Sequence, residues 1–536
     1  MSILKGDPAG RETRARFWSV QSLLLLVALL FFLLVILRTA WVCDDAYITF
    51  RTVRNFIAGN GMRWNHFERV QSFTHPLWFL LMSAMALVVR DFYASTLLVS
   101  VLLSLATVTL VALRATRPKA LGLLGVALLV SSKSFVDFST SGLENALSHF
   151  LFVLFLLELV GRWPLRRWSR PDSISPDAFH LAFLSGLMTL NRPDTFLLTL
   201  PALAMVLRPA WKSRRTWWLL AKAFTPLLLW ELVALVYFGF PFPNTAYAKL
   251  GMGIPALSMM GQGLAYFANE LVFDPLALVI LTVATVAPFV MRERRLQPVS
   301  VGFLFYAFYV VRIGGDFMAG RFFSLLVVGS VFVILRCAPV LLRRREWLAG
   351  WAALSVLGLG ILITPKPVLT AAFKADGQAD KSFYAHGIVD ERLWYLKESS
   401  LFWRDRSWPL GGWFTDQGKA LAPGKASVHM TLGFFGFAAP RDAIIVDYWA
   451  LTDPLLARLP AENPKDWRIG HVGRPVPKGY LETLETGKNQ FEDKRLGEFY
   501  EHLSVITRGP LFSWQRLKTI WHFNLGSYDY LLKPTT

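Results

Sequence analysis

The sequence FWSVQSLLLLVALLFFLLVIL at 17–37 is an uninterrupted apolar run, and CDDAYITFR follows it at 43–51. A run of about 20 apolar residues is long enough to cross a bilayer as one helix. The adjacent acids Asp44 and Asp45 therefore stand just after a predicted span, where lipid gives way to water. This arrangement predicts a membrane protein with a polar site at the end of its first helix.

Composition and charge agree with a membrane protein. The chain has 536 residues, 54% of them hydrophobic, with a mean hydropathy of +0.42, which is high for soluble domains. Of the formal net charge of +19, residues 1–364 carry +16 and residues 365–536 carry +3. Basic residues concentrated in the loops of a membrane protein indicate its orientation, so we expect no nucleic-acid partner.

Apolar segments recur up to residue 364 and predict a polytopic α-helical protein with about eleven transmembrane helices. Residues 76–89 are short for a span and predict an amphipathic or re-entrant helix after a first outer loop at 41–75. If this helix does not cross the membrane and the N-terminus is cytoplasmic, all the basic loops lie on the cytoplasmic side, as positively charged loops usually do. We then expect a transmembrane domain at 1–364 and an extracytoplasmic mixed α/β domain at 365–536.

That topology places a short set of polar residues on the outer face. Each also has a structural interpretation: the acid pair could be a solvated cap, Glu144 could answer a helix dipole, Arg192 and Asp194 could form an ion pair, and Lys249 could extend along the lipid to water. The set comprises Asp44, Asp45, His75, Glu144, Arg192, Asp194, Asn244, Lys249, Asp316 and Arg321.

The segment RIGGDFMAGRFF at 312–323 is the sharpest of these signals. Its paired glycines permit close backbone approach around Asp316 and Arg321. No Walker, Rossmann, HExxH, CxxC or GxSxG pattern is present, which argues against ATPases, dinucleotide enzymes, zinc proteases and lipases. The acids could ligate a divalent metal, but no motif assigns one and no cofactor is certain.

Several of these motifs together resemble the GT-C glycosyltransferases, in particular the mycobacterial terminal arabinofuranosyltransferase branch and related bacterial enzymes. The resemblance rests on both ends of the chain: DDAYITFR at 44–51, GNGMRWN at 59–65, THPLW at 74–78, GGDFM at 314–318, TDPLLARLP at 452–460, WRIGH at 467–471 and PKGYL at 477–481.

The resemblance implies a multi-pass protein of the bacterial cytoplasmic (inner) membrane, with its active site facing outward. It implies a polyprenyl-phosphate sugar donor, carrying arabinofuranose or another sugar, and a surface glycan or protein acceptor. Asp44 and Asp45 would be catalytic, and we expect Asp44, nearer the membrane boundary, to be the more critical. Charge and sidedness assign Arg192, Lys249 and Arg321 to the donor phosphate. The alternative is a transporter or flippase for polyprenyl-linked lipids or solutes.

Overall fold

The computed structural model describes residues 8–161, 176–342, 347–363, 367–373, 384–407 and 409–532. Two of the basic loops that the charge pattern assigns to the inside, around Arg166 and at 343–345, lie outside these ranges. The described chain is mostly helical, as its apolar segments predict.

The first part of the chain is built from seventeen helices within the described residues. They are α1 (Pro8–Arg38), α2 (Asp44–Asn55), α3 (Pro76–Val89), α4 (Phe92–Leu110), α5 (Lys119–Ser131), α6 (Lys133–Asp137), α7 (Asn145–Leu159), α8 (Pro176–Asn191), α9 (Phe196–Leu207), α10 (Arg214–Ala223), α11 (Thr225–Val233), α12 (Asn244–Leu250), α13 (Ala256–Phe273), α14 (Pro275–Val290), α15 (Gln297–Arg312), α16 (Arg321–Leu342) and α17 (Trp347–Ile363). Short π-helical turns extend α2, α4 and α11.

Three helical stretches are long and apolar enough to cross a membrane: Val20–Arg38, Phe92–Ala115 and Arg321–Pro339. The number rises to five if each of two bent pairs is one span; these are α10 with α11 and its π turn, and α13 with α14. Pro76–Val89 is among the shorter apolar helices, as its sequence predicts. The count of about eleven spans stays a prediction.

The helices pack around one large apolar core. Helix α5 packs against α17 and α1, α14 against α16, α15 against α9, and α7 against α8. Two buried tryptophans satisfy backbone groups inside this core: Trp41 Nε1 donates to the Asp137 carbonyl at 2.7 Å, and Trp78 Nε1 donates to the Gly142 carbonyl at 3.1 Å. Both carbonyls belong to the connection at 137–144, so hydrogen bonds from two buried tryptophans hold this connection in place.

The sequence after α17 forms short elements. They are α18 (Val368–Ala371), α19 (Glu391–Trp394), α20 (Leu396–Ser399), α21 (Gly412–Lys419), β1 (Ala426–His429), α22 (Phe434–Ala438), β2 (Ile444–Asp447), α23 (Tyr480–Thr486), α24 (Lys494–Arg508) and α25 (Trp514–Asn524). Strands β1 and β2 pair in parallel, with Ala426 opposite Ile444. That residues 365–536 form a separate domain stays a prediction.

The C-terminal region covers one end of the helical part. Leu401 N–H donates to the Ala40 carbonyl at 2.8 Å, which ties the region to the end of α1. Asn244, buried at the start of α12, donates from its Nδ2 to the carbonyls of Ala450, Leu451 and Asp453 at 3.0–3.1 Å. The covered end is the one where α1 stops and Asp44 begins α2.

Helix α2 lies within the first outer loop predicted at 41–75, and most of it is buried. Its Arg51 and Arg54 donate to the carbonyls of Gly436 and Phe437 in and beside α22. The basic face of α2 is therefore covered by the C-terminal region.

Candidate active site

Glu144 is the centre of a buried ionic network under the C-terminal region. Its carboxylate lies 3.2 Å from Arg192 Nη1, 3.3 Å from Arg321 Nη2 and 3.3 Å from His75 Nδ1. The other ring nitrogen of His75, Nε2, lies 2.9 Å from the Thr49 hydroxyl of α2. One carboxylate therefore joins residues from four separate stretches of chain.

Each arginine of this network has a second acidic partner. Arg192 Nε donates to both oxygens of Asp194, at 2.8 and 3.0 Å, and the Tyr306 hydroxyl donates to Asp194 at 3.1 Å. Arg321 Nη1 lies 3.2 Å from Asp316 Oδ2, and its Nε is buried without a hydrogen-bond partner. The structure therefore brings together six predicted residues: His75, Glu144, Arg192, Asp194, Asp316 and Arg321.

The turn that carries Asp316 depends on the glycines before it. Gly315 has a φ of +70°, and a Cβ there would lie 2.5 Å from the Tyr266 side chain, so a larger residue would have to move Tyr266. Beyond Asp316, Phe317 O accepts from Val389 N–H at 2.7 Å and Ala319 N–H donates to Val389 O at 2.9 Å. Both hydrogen bonds join the turn to one residue of the C-terminal region, Val389, and the close approach of Gly315 to Tyr266 is of the kind that the paired glycines permit.

Asp44 holds the C-terminal region against the first helix end. Its two carboxylate oxygens accept from the N–H groups of Gly433, at 3.0 Å, and Phe434, at 2.7 Å, where α22 begins. A Cβ on Gly433 would lie 1.9 Å from the Asp44 carbonyl, so only glycine allows this approach. Burial raises the pKa of Asp44 to about 7 against these two hydrogen bonds, which lower it.

Asp45 has a different environment. Among the described residues, none donates a hydrogen bond to its half-buried carboxylate. Burial raises its pKa, the charge of Arg321 acts against this, and Asp316 and Glu144 add like charge. Asp45 thus faces the ionic network with a free carboxylate, whereas Asp44 is engaged. The two adjacent acids therefore differ in their contacts, and the expectation that Asp44 is the more critical of the two stays a prediction.

Glu391 is a site residue that sequence reasoning missed. Its side chain is 8% exposed and makes no hydrogen bond within the described parts of the chain. Burial, together with Asp45 and Asp44, raises its pKa well above the usual range. The C-terminal region therefore adds a third carboxylate beside the acid pair. Nothing in the local sequence distinguishes Glu391 from the other charges of that region.

The neighbours of Glu391 explain how it is held. Asp390 lies 3.3 Å from the Lys133 amine, and Arg392 Nε lies 2.7 Å from Asp137. Lys133 and Asp137 are themselves paired at 2.5 Å on α6, and all four side chains are buried. The residues on either side of Glu391 therefore clamp α19 onto α6, while Glu391 itself interacts with the acid pair.

The two remaining predicted residues lie apart from the network. Lys249 is exposed near the end of α12 and makes no side-chain hydrogen bond or ion pair within the described structure, yet its charge acts on both Asp45 and His471. Asn244 is buried and engaged with the backbone of 450–453. His471 packs edge-on against Phe317 with ring centres 4.6 Å apart, and burial lowers its pKa to about 4.

The site thus combines free and hydrogen-bonded carboxylates with arginines and an exposed lysine. Carboxylates can accept a proton or attack an electrophilic carbon, and the cations can stabilise an anionic leaving group. Within the described ranges, no three His, Cys, Asp or Glu side chains converge as a metal site would require. A metal requirement stays open.

No protein-family model matches the chain. A solved structure, ArnT from Cupriavidus metallidurans bound to undecaprenyl phosphate, aligns with 84% of this chain and 94% of its own, at 12% identity and a TM-score of 0.42.

Two curated relatives carry one name, terminal β-(1→2)-arabinofuranosyltransferase. The Mycobacterium tuberculosis protein is 33% identical over 408 residues, 67% of this chain and 62% of its own length. The Corynebacterium glutamicum protein is 29% identical over 404 residues, 66% of this chain and 55% of its own. The chain spans about three fifths of the length of these relatives. The predicted resemblance is confirmed: the chain is similar to bacterial terminal β-(1→2)-arabinofuranosyltransferases.

Proposed function

We propose that the protein is a membrane glycosyltransferase that moves a sugar, arabinofuranose, from a polyprenyl-phosphate donor to a glycan or protein acceptor outside the cytoplasmic membrane. The observation that carries the proposal is the carboxylate of Asp45, just after an apolar helix, which accepts no hydrogen bond from a described residue and interacts electrostatically with Arg321 and Glu391. The names of the curated relatives support the reaction class and the sugar.

The charges suit transfer from a sugar phosphate. The bond between the anomeric carbon and the phosphate oxygen breaks, the bond to the acceptor oxygen forms, and the acceptor proton passes to a carboxylate. We assign the leaving phosphate to Lys249 and Arg321, because Lys249 is exposed and Arg321 has an unpaired Nε. Arg192, held by Asp194 and Glu144, positions this network.

The three carboxyl groups take different parts. Asp45, without a hydrogen-bond donor, is the group that reacts with the sugar or removes the acceptor proton. Asp44 orients the C-terminal region through Gly433 and Phe434. Glu391 accepts a hydrogen bond from an acceptor hydroxyl, because it reaches the site from the C-terminal region and has no partner of its own among the described residues.

The membrane arrangement is part of the proposal. About eleven spans, an inner N-terminus and an outer C-terminal domain would put the acid pair at the outer leaflet, where a lipid-linked donor can enter from the bilayer. The acceptor would approach from the water. The basic loops support this orientation, as does the C-terminal region that covers the end of α1, just before Asp44.

Release of polyprenyl phosphate tests the function. Purified protein in lipid nanodiscs is given a polyprenyl-phosphate arabinofuranose and an arabinan oligosaccharide. The proposal requires polyprenyl phosphate to form together with a lengthened oligosaccharide. A transporter or flippase would leave the donor intact and would move it between leaflets in sealed vesicles. That outcome would contradict the proposal and favour transport.

A further inference from the structure

The C-terminal helix α25 carries an exposed apolar stripe. Trp514, Leu517, Trp521 and Leu525 follow one another at helical spacing, so they share one face. Trp514, Trp521 and Leu525 are 79%, 67% and 65% exposed, and Phe512 extends the stripe before the helix with 75%. A continuous exposed patch of large aromatic and aliphatic side chains marks an interaction surface.

The opposite face of α25 is anchored at the end of an apolar helix. Arg516 is fully buried and donates from Nη1 to the Val236 carbonyl at 2.7 Å and from Nη2 to the Tyr237 carbonyl at 2.8 Å. Asn524 Nδ2 donates to the Gly239 carbonyl at 2.8 Å. These carbonyls end the bent pair of α10 and α11, which together are apolar and long enough for a span. Helix α25 is therefore held where that pair would leave the membrane.

A second exposed apolar surface lies on α11, just before the turn that anchors α25. On α11 the large side chains of Leu228, Leu229 and Leu232 are 54–57% exposed, and Leu235 follows in the π turn at 39%. The carbonyls that bind Arg516 come directly after Leu235. The exposed apolar surface of the helix pair thus extends to the turn on which α25 packs.

The chemistry of the stripe matches the boundary between lipid and water. Tryptophan joins a large apolar ring to an N–H donor, and it is enriched at this boundary in membrane proteins. Lys518 borders the stripe and is exposed, and a lysine amine there can extend to lipid phosphates. A lipid surface satisfies both the rings and the amine, while bulk water satisfies the amine alone.

We propose that α25 is an interfacial helix, with its stripe of Trp514, Leu517, Trp521 and Leu525 embedded at the membrane surface on the side of the C-terminal region. This contact fixes the height of the C-terminal region above the bilayer. The proposal does not depend on the reaction that the protein catalyses.

Quenching by brominated lipids tests the contact in the full chain. Trp521→Cys is labelled with bimane in nanodiscs of phosphatidylcholine, with Gln515→Cys, exposed outside the stripe, as the matched control. The native thiols of Cys43 and Cys337 are buried. We expect brominated phosphatidylcholine to cause a large loss of fluorescence at position 521 and little loss at position 515, in protein that elutes as one sharp species on size exclusion.

Leu525→Cys repeats the measurement at a second position in the stripe, so the result does not depend on one variant. Equal responses at positions 521, 525 and 515 would overturn the proposal. So would protection of position 521 from both brominated lipid and aqueous iodide in nanodiscs that hold two copies, because the stripe would then face a second protein chain.

Discussion

At the scale of single residues, the two adjacent acids differ in what they contact. Asp44 accepts two backbone hydrogen bonds from the start of α22, whereas no described residue donates to Asp45. A carboxylate that is already bound to the backbone is suited to hold an element in place. A free carboxylate next to Arg321 is suited to meet a substrate.

The raised pKa of Asp44 predicts a pH-dependent contribution to stability. Its native pKa, about 7, lies above its ordinary value of 3.8, so between these values the native state binds more protons than the unfolded chain. The stabilisation from this group is therefore complete below about pH 4 and is lost as the pH rises through 7. We expect the unfolding free energy of the wild type, relative to Asp44→Asn, to fall across this window.

Thermal unfolding in detergent at several pH values measures this difference. The Asp44→Asn variant is the control for the wild type, because both proteins share every other titrating group. If the unfolding free energy of the wild type instead rises relative to that of Asp44→Asn between pH 4 and 7, the account is contradicted. Such a result would mean that the native state favours the ionised carboxylate.

Lys249 is the exposed cation of the site and should act on the donor alone. Because its side chain makes no contact among the described residues, Lys249→Ala should leave the melting temperature within about 1 °C. We expect a higher KM for the polyprenyl-phosphate donor, an unchanged KM for the acceptor, and recovery in Lys249→Arg. An unchanged donor KM in Lys249→Ala would remove this residue from phosphate binding.

At the scale of elements, the clamp between α6 and α19 should control the position of Glu391. Lys133→Met leaves buried Asp137 and Asp390 without their lysine partner, and breaking a buried pair in this way costs roughly 3–5 kcal/mol. We expect a large fall in the melting temperature together with a raised KM for the acceptor.

Two further variants separate position from stability in the clamp. Glu391→Gln should raise the KM for the acceptor while it keeps the melting temperature, because the Glu391 carboxylate makes no hydrogen bond of its own among the described residues. Lys133→Arg should restore part of the lost stability. If Lys133→Met and Glu391→Gln both turn over like the wild type, the clamp has no part in the site.

The elements also show what the sequence could reveal. The apolar segments, the short helix α3 and the glycine turn before Asp316 follow from local pattern, because their length and residue types restrict the backbone directly. The clamp and Glu391 do not, because they depend on contacts between residues more than 250 positions apart, such as Lys133 with Asp390. The contacts that distinguish Asp44 from Asp45 likewise depend on a distant element, α22.

At the scale of the whole molecule, the orientation in the membrane can be measured directly. Ser213→Cys lies in an exposed basic loop before α10, and Lys488→Cys lies exposed in the C-terminal region. With intact cells and a membrane-impermeant maleimide, we expect labelling at position 488 alone, and at both positions after lysis. Labelling of position 213 in intact cells would reverse the predicted topology and place the acid pair on the inner face.

The sequence therefore predicted the class of protein, the resemblance and six residues of one network, because charge and motif mark them locally. It did not predict how the C-terminal region closes over α2, since the backbone groups of Gly433, Phe434, Gly436 and Phe437 that make this contact carry no signature. Burial of the acid pair is a property of the assembled molecule.

Transfer by Asp45→Asn tests the central claim most directly. The variant and the wild type are compared in nanodiscs with polyprenyl-phosphate arabinofuranose and an arabinan oligosaccharide, with donor binding measured in parallel and Asp44→Asn as the matched control. We predict that Asp45→Asn binds the donor and releases no polyprenyl phosphate, while Asp44→Asn retains measurable turnover. Turnover by Asp45→Asn at the wild-type rate would contradict the account.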